Sequence, residues 1–126
     1  MTLHHHGVPR LARALFLLAL ITAFVMALLP APPQVMANDK SQHMLAFVVL
    51  TALMGIGWPR LALWRIALPM ALVGALIEIA QSAFPALHRD ADIADWYADM
   101  IAVGVVLLVI ALIRAGLRAR SPKPAE

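Results

Sequence analysis

No cysteine occurs in the 126 residues, which excludes disulfides and thiolate metal sites. Charge is scarce as well: only 13% of residues are Asp, Glu, Lys or Arg, about half of what an ordinary soluble domain carries. Sustained alternation of polar and apolar residues is missing, which argues against strands. Neither G-x-S-x-G nor H-E-x-x-H is present, so a nucleophile elbow and a zincin helix are both excluded. What the chain has instead is apolar side chain, 63% of its residues, with a mean hydropathy of +0.84. A chain this small leaves much of its surface exposed and could not hide so much apolar area in one water-soluble core. Its natural solvent is lipid.

Four apolar runs stand out: Leu11 to Leu29, Met44 to Trp58, Leu61 to Phe84 and Trp96 to Ile113. Crossing about 30 Å of hydrocarbon takes about 20 helical residues. The second run is too short alone and reaches that length if its helix begins near Asp39. The expectation is an all-α polytopic membrane protein, a four-helix transmembrane bundle. Its spans lie at about 11–29, 40–58, 61–84 and 94–115 within a domain of residues 11–116, flanked by tails 1–10 and 117–126. Pro69 should bend the third helix without ending it, because neighbouring helices satisfy freed backbone groups. The first run has a rival reading: its basic start and the "VMA" before Asn38 resemble a signal peptide with a small-residue cleavage site. An uncleaved span is preferred, since the run is long for a signal. His4, His5 and His6 fit a disordered tail.

Charge placement sets an orientation. Arg10 and Arg13 precede the first run, Arg60 and Arg65 flank the start of the third, and Arg114, Arg118, Arg120 and Lys123 follow the fourth. Four crossings bring these to one side, so the positive-inside rule places both termini in the cytoplasm. That accounts for the basic pI through topology and anionic lipid, and removes the case for nucleic acid. Six of the seven acids, all but Glu126, then fall at the opposite side, with Lys40 and Arg89 as its bases.

Three segments concentrate polar chemistry there. In "NDKSQHMLAF" Asp39 is a plausible N-cap with Gln42 completing a capping box, and Asp39 and His43 share a helix face. His43 sits deeper, where an ionisable group faces a bundle interior. In "GALIEIAQSAF" the residues Gly74, Glu78, Gln81 and Ser82 form one small and polar face that admits a neighbouring helix. Glu78 lies roughly 10 Å inside the helix end, where a charge costs about 2.5–3.5 kcal/mol and calls for a partner or a wet pocket. In "HRDADIADWYAD" Asp92, Asp95 and Asp99 make a helical stripe. Asp90 or Asp92 can cap the helix, Trp96 and Tyr97 suit the headgroup belt, and Asp99 reaches a depth like that of Glu78. A purely structural helix–helix clasp would use the same residues.

The order and spacing of "DKSQH" (Asp39, Lys40, His43), "EIAQSAFP" (Glu78, Gln81, Pro85) and Arg89 followed by "DWYAD" (Asp95, Asp99) resemble the VanZ-like family of small bacterial membrane proteins over roughly residues 38 to 106. The last helix departs from the family pattern, with Asp99 and Ala102 where Asn and Gly are frequent, and the turn from Gln81 to Arg89 is slightly longer. The family is named for an accessory factor in teicoplanin resistance, so the resemblance implies a place in the bacterial inner membrane and an envelope role without supplying a reaction.

Two functions follow from the residues. In the first, a pocket built by Asp39, Lys40, His43, Glu78, Gln81, Arg89, Asp95 and Asp99 binds the headgroup of a lipid-linked cell-wall precursor, or a glycopeptide, with Arg89 and Lys40 on phosphate or carboxylate. In the second, the protein is a membrane-embedded enzyme with His43, Glu78 or Asp95 as acid or base. A single histidine without other nitrogen or sulfur ligands is a thin basis for zinc, so no metal and no cofactor is assigned. Membrane lipids are the one partner the composition demands.

Overall fold

The structure, a computed structural model, describes residues 7–33 and 38–120. It is all-helical. Helix α1 spans Gly7–Leu28, α2 Asp39–Gly57, α3 Trp64–Ala83 and α4 Ile93–Arg120, with a 3-10 turn at Pro85–Leu87. All four α-helices are long and apolar enough to cross a bilayer. The His4–His6 run, the "VMA" segment, Lys123 and Glu126 lie outside the described residues.

Helix boundaries follow local chemistry. Helix α2 does begin at Asp39, which gives the short second run its spanning length. Its cap, however, is Asn38 and not Asp39. Asn38 has extended backbone, and its side-chain oxygen accepts from the Ser41 amide at 2.8 Å, the usual N-cap bond. That frees the Asp39 carboxylate for a distant partner. Helix α3 starts three residues later than its apolar run because Trp58–Leu61 turn back on themselves, with Leu61 N–H on Trp58 C=O. It continues unbroken through Pro69. Helix α4 is capped by Asp92, whose Oδ1 accepts from the Ala94 amide at 2.9 Å. It extends to Arg120, five residues beyond the expected span. Arg118 and Arg120 in its last turn meet the negative end of the helix dipole.

Helices α2 and α3 each pack on α1, on α4 and on one another, while α1 and α4 share no comparable interface. The core between them holds Phe16, Ala27, Phe47, Leu50, Met70, Ile77 and Val103. Helix α1 supplies two of these residues, so it is an integral member of the bundle. Large apolar residues also cover the outside, among them Leu18, Ile21, Leu72, Ile79, Leu108 and Leu112, each more than half exposed. A bundle apolar inside and out is solvated by lipid, not by water.

Close contacts fix the arrangement of the ends. Arg13 meets Gly57 and Arg114 meets Leu61, so the start of α1, the α2–α3 turn and the end of α4 share one end. Asp39 meets Arg89, and Gln81 meets Ala27, which defines the other. All six carboxylates of the described residues lie in segments at this second, acidic end.

Candidate functional site

At the acidic end the first turn of α2 is the hub. Arg89 Nη2 donates to Asp39 Oδ2 at 2.8 Å, and Lys40 Nζ pairs with Asp95 Oδ1 at 2.9 Å. The two bases expected on this side therefore each tie α2 to the α3–α4 connection or to α4 itself. Arg89 is aimed back at α2 by His88, which ends the 3-10 turn in the left-handed region at φ 49°, a conformation few non-glycine residues adopt.

His43 stands one turn further in, on the face it shares with Asp39. Its Nε2 lies 3.7 Å from Asp39 Oδ2 and its Nδ1 3.9 Å from Asp99 Oδ2. Both distances exceed hydrogen-bond range, so the imidazole sits in the field of two carboxylates without a direct bond to either. The His43 side chain is only 9% exposed and that of Asp99 only 2%. Asp99 Oδ1 is buried and has no hydrogen-bond partner among the described residues. An acceptor left so in an apolar interior costs free energy.

Glu78 and Asp99 do not share a partner. Glu78 Oε2 accepts from the Asp92 backbone N–H at 2.9 Å, which places its charge against the N-terminus of α4 and the positive end of that helix. The intramembrane cost anticipated for Glu78 is thus offset by backbone, and His43 turns to Asp39 and Asp99 instead. Gln81, buried at 5% exposure, donates its amide to the Ala27 carbonyl at 2.9 Å. It closes one of the last-turn carbonyls that α1 leaves open. Ser82 and Arg89 line an open hollow of about 460 Å³ with Gln81, Pro85, His88 and Asp90.

Trp96 does something the belt expectation missed. Its indole packs onto Gly74, where a Cβ would lie 2.9 Å from Trp96 Cδ1, and its N–H donates to the Ala71 carbonyl at 3.1 Å. Gly74 therefore serves as the seat of an aromatic lock between α3 and α4. Tyr97 alone is exposed at the surface, at 58%. Gly74 four residues before Glu78 was the available signal, since a small residue on a polar helix face marks close approach.

An apolar groove of about 610 Å³ runs between α1 and α2. Leu15, Leu18, Ala19, Thr22, Ala23 and Met26 form one wall, and Leu45, Ala46, Val49 and Leu53 the other. Asp39, Gln42 and His43 line it as well. The groove begins at the polar cluster and continues as hydrocarbon, so it suits a molecule with a polar head and an apolar tail. Among the described residues no three His, Asp or Glu side chains converge as metal ligands.

Comparison of the chain with protein-family models, with curated proteins and with solved structures finds no match.

Proposed function

We propose that the chain is a VanZ-like protein of the bacterial inner membrane, with both termini cytoplasmic, that binds the headgroup of a lipid-linked envelope precursor at its extracytoplasmic, acidic end. One observation carries this: Asp39 and His43 belong both to the charged cluster and to the lining of the apolar groove. Head and tail of one amphiphile would then be held by the same helix. Arg89 and Lys40 supply charge-assisted donors for phosphate or carboxylate once their intramolecular partners yield. Asp99 Oδ1 and Asp39 accept from hydroxyl or amide groups. The orientation rests on seven arginines of the described residues at the other end, Arg10, Arg13, Arg60, Arg65, Arg114, Arg118 and Arg120.

The test is lipid-identifying mass spectrometry on protein extracted in its native membrane, comparing wild type with His43→Ala and Glu78→Ala. A phosphate-bearing, long-chain amphiphile enriched on the wild type and lost from His43→Ala supports the proposal. Equal lipid content in variants that keep the wild-type melting temperature refutes it.

A second reading has a specific observation behind it. His43 between Asp39 and Asp99 has the layout of a general acid/base oriented by carboxylates, and such contacts tighten when substrate arrives. A hydrolase or transferase acting on a lipid-linked substrate would turn that substrate over in detergent, with activity falling about a hundredfold or more in His43→Ala. A purified protein that binds the lipid and leaves it unchanged decides for binding.

A further inference from the structure

We propose that the opposite end of the bundle holds a second site, a pocket for a phosphate-bearing anion, built by the start of α1 and the α2–α3 turn. The pocket encloses about 570 Å³ and is lined by Arg10, Arg13 and Arg60 together with Pro9, Trp58 and Pro59. Its volume falls in the ordinary range of small-ligand sites, about 300–1,000 Å³.

Three features make it more than a solvated basic surface. First, it is preorganised. Arg13 Nε donates to the Gly57 carbonyl at 2.7 Å, and its guanidinium lies over the Trp58 ring, 5.3 Å from the centroid. Trp58 is itself held edge-on by buried Phe16 at 5.6 Å. Gly57 permits the approach, because a Cβ there would stand 3.1 Å from Arg13 Cγ. The turn that presents Arg60 is tied to α4, where Arg114 Nη1 donates to the Leu61 carbonyl at 2.7 Å. Second, it has no counter-ion among the described residues. No carboxylate lines it, and every ion pair among the described residues is at the acidic end. Three guanidinium groups facing one hollow repel one another until an anion enters. Third, the pocket has the composition of a headgroup layer, with Trp and Arg at the ends of spanning-length helices. Guanidinium forks match phosphate oxygens in pairs, which lysine cannot do. A lipid phosphodiester and a free phosphate offer the same chemistry, and basic pockets between membrane helices bind anionic headgroups of the first kind.

The site stands apart from the amphiphile pocket, so either can fail alone. Native mass spectrometry of the full chain in detergent reads it, titrating separately with phosphatidylglycerol, phosphatidylcholine and inorganic phosphate. The expected result is retention of phosphatidylglycerol over phosphatidylcholine, with about tenfold weaker binding in the Arg10→Gln/Arg60→Gln double variant. The Arg118→Gln/Arg120→Gln double variant carries the same net charge outside the pocket and should bind like wild type. Arg60→Lys should retain only part of the affinity. Competition by inorganic phosphate at equal concentration supports the pocket and identifies a free anion as its occupant; resistance to it supports the pocket and identifies a lipid. Equal loss in both double variants reduces the effect to diffuse attraction and overturns the proposal. So does unchanged binding in the pocket variant.

Discussion

The two ends of the bundle handle charge in opposite ways. At the acidic end the bases answer carboxylates: Arg89 meets Asp39, Lys40 meets Asp95, and His43 lies between Asp39 and Asp99, while Glu78 turns to the Asp92 backbone. At the arginine end, side chains answer backbone: Arg13 bonds the Gly57 carbonyl and Arg114 the Leu61 carbonyl. The first end holds six carboxylates against Lys40 and Arg89, so acid stays in excess there, and it keeps one buried acceptor open. The second, among the described residues, holds seven arginines and no carboxylate. The proposed amphiphile site thus lies at the acidic end and the proposed anion site at the arginine end.

Five tests break or sharpen that contrast. The largest effect belongs to the zone between the ends. Leu108 is 60% exposed near the middle of α4, and Leu108→Arg should cost about 2.5–3.5 kcal/mol in insertion, read as lost membrane-integrated protein in a glycosylation-reporter assay. Next come the locks of the acidic end. Gly74→Val drives a branched side chain into the Trp96 indole and should lower unfolding free energy by about 1–3 kcal/mol, measured by denaturation in mixed micelles. Combined with Trp96→Ala, the loss should be less than additive. Gln81→Leu leaves the buried Ala27 carbonyl without its donor, for about 1–3 kcal/mol by the same measurement.

Smaller terms follow. A double-mutant cycle on Asp39 and Arg89 should return a coupling of about 1 kcal/mol, limited because the Asp39 side chain is 41% exposed and water screens the pair. Raising salt should shrink that coupling and leave the Gln81 effect unchanged. The smallest is Arg13→Lys, which keeps the charge but loses the Nε bond and the stacking on Trp58, for about 0.5–1 kcal/mol.

Much of the architecture was legible in residue order. Four helices emerge from the length of the apolar runs, and the start of α2 near Asp39 emerges from the span length a bilayer requires. The pairing of polar groups was less legible. Asp39 and Asn38 are both good caps, and local sequence cannot say which is used, because Arg89, fifty residues away, decides what the Asp39 carboxylate does. The partner of Glu78 was invisible for a similar reason. A backbone N–H carries no sequence signature, so the Asp92 amide could not be anticipated. Trp96 reads as a belt residue by position, and only the missing Cβ of Gly74 gives it a half-buried seat. At the arginine end the basic residues were obvious as a topology signal. Their carbonyl partners and the Trp58 platform depend on how α1 crosses the α2–α3 turn.

Helix α2 is the least apolar of the four and the one whose first two turns hold Asp39, Lys40 and His43. During synthesis it emerges before Arg89, Asp95 and Asp99 exist. Its partitioning out of the translocon therefore relies first on α1, already threaded, and is completed only when the last third of the chain arrives to neutralise it. Truncation before α4 should strand this segment at the bilayer surface, a ready substrate for membrane quality-control proteases.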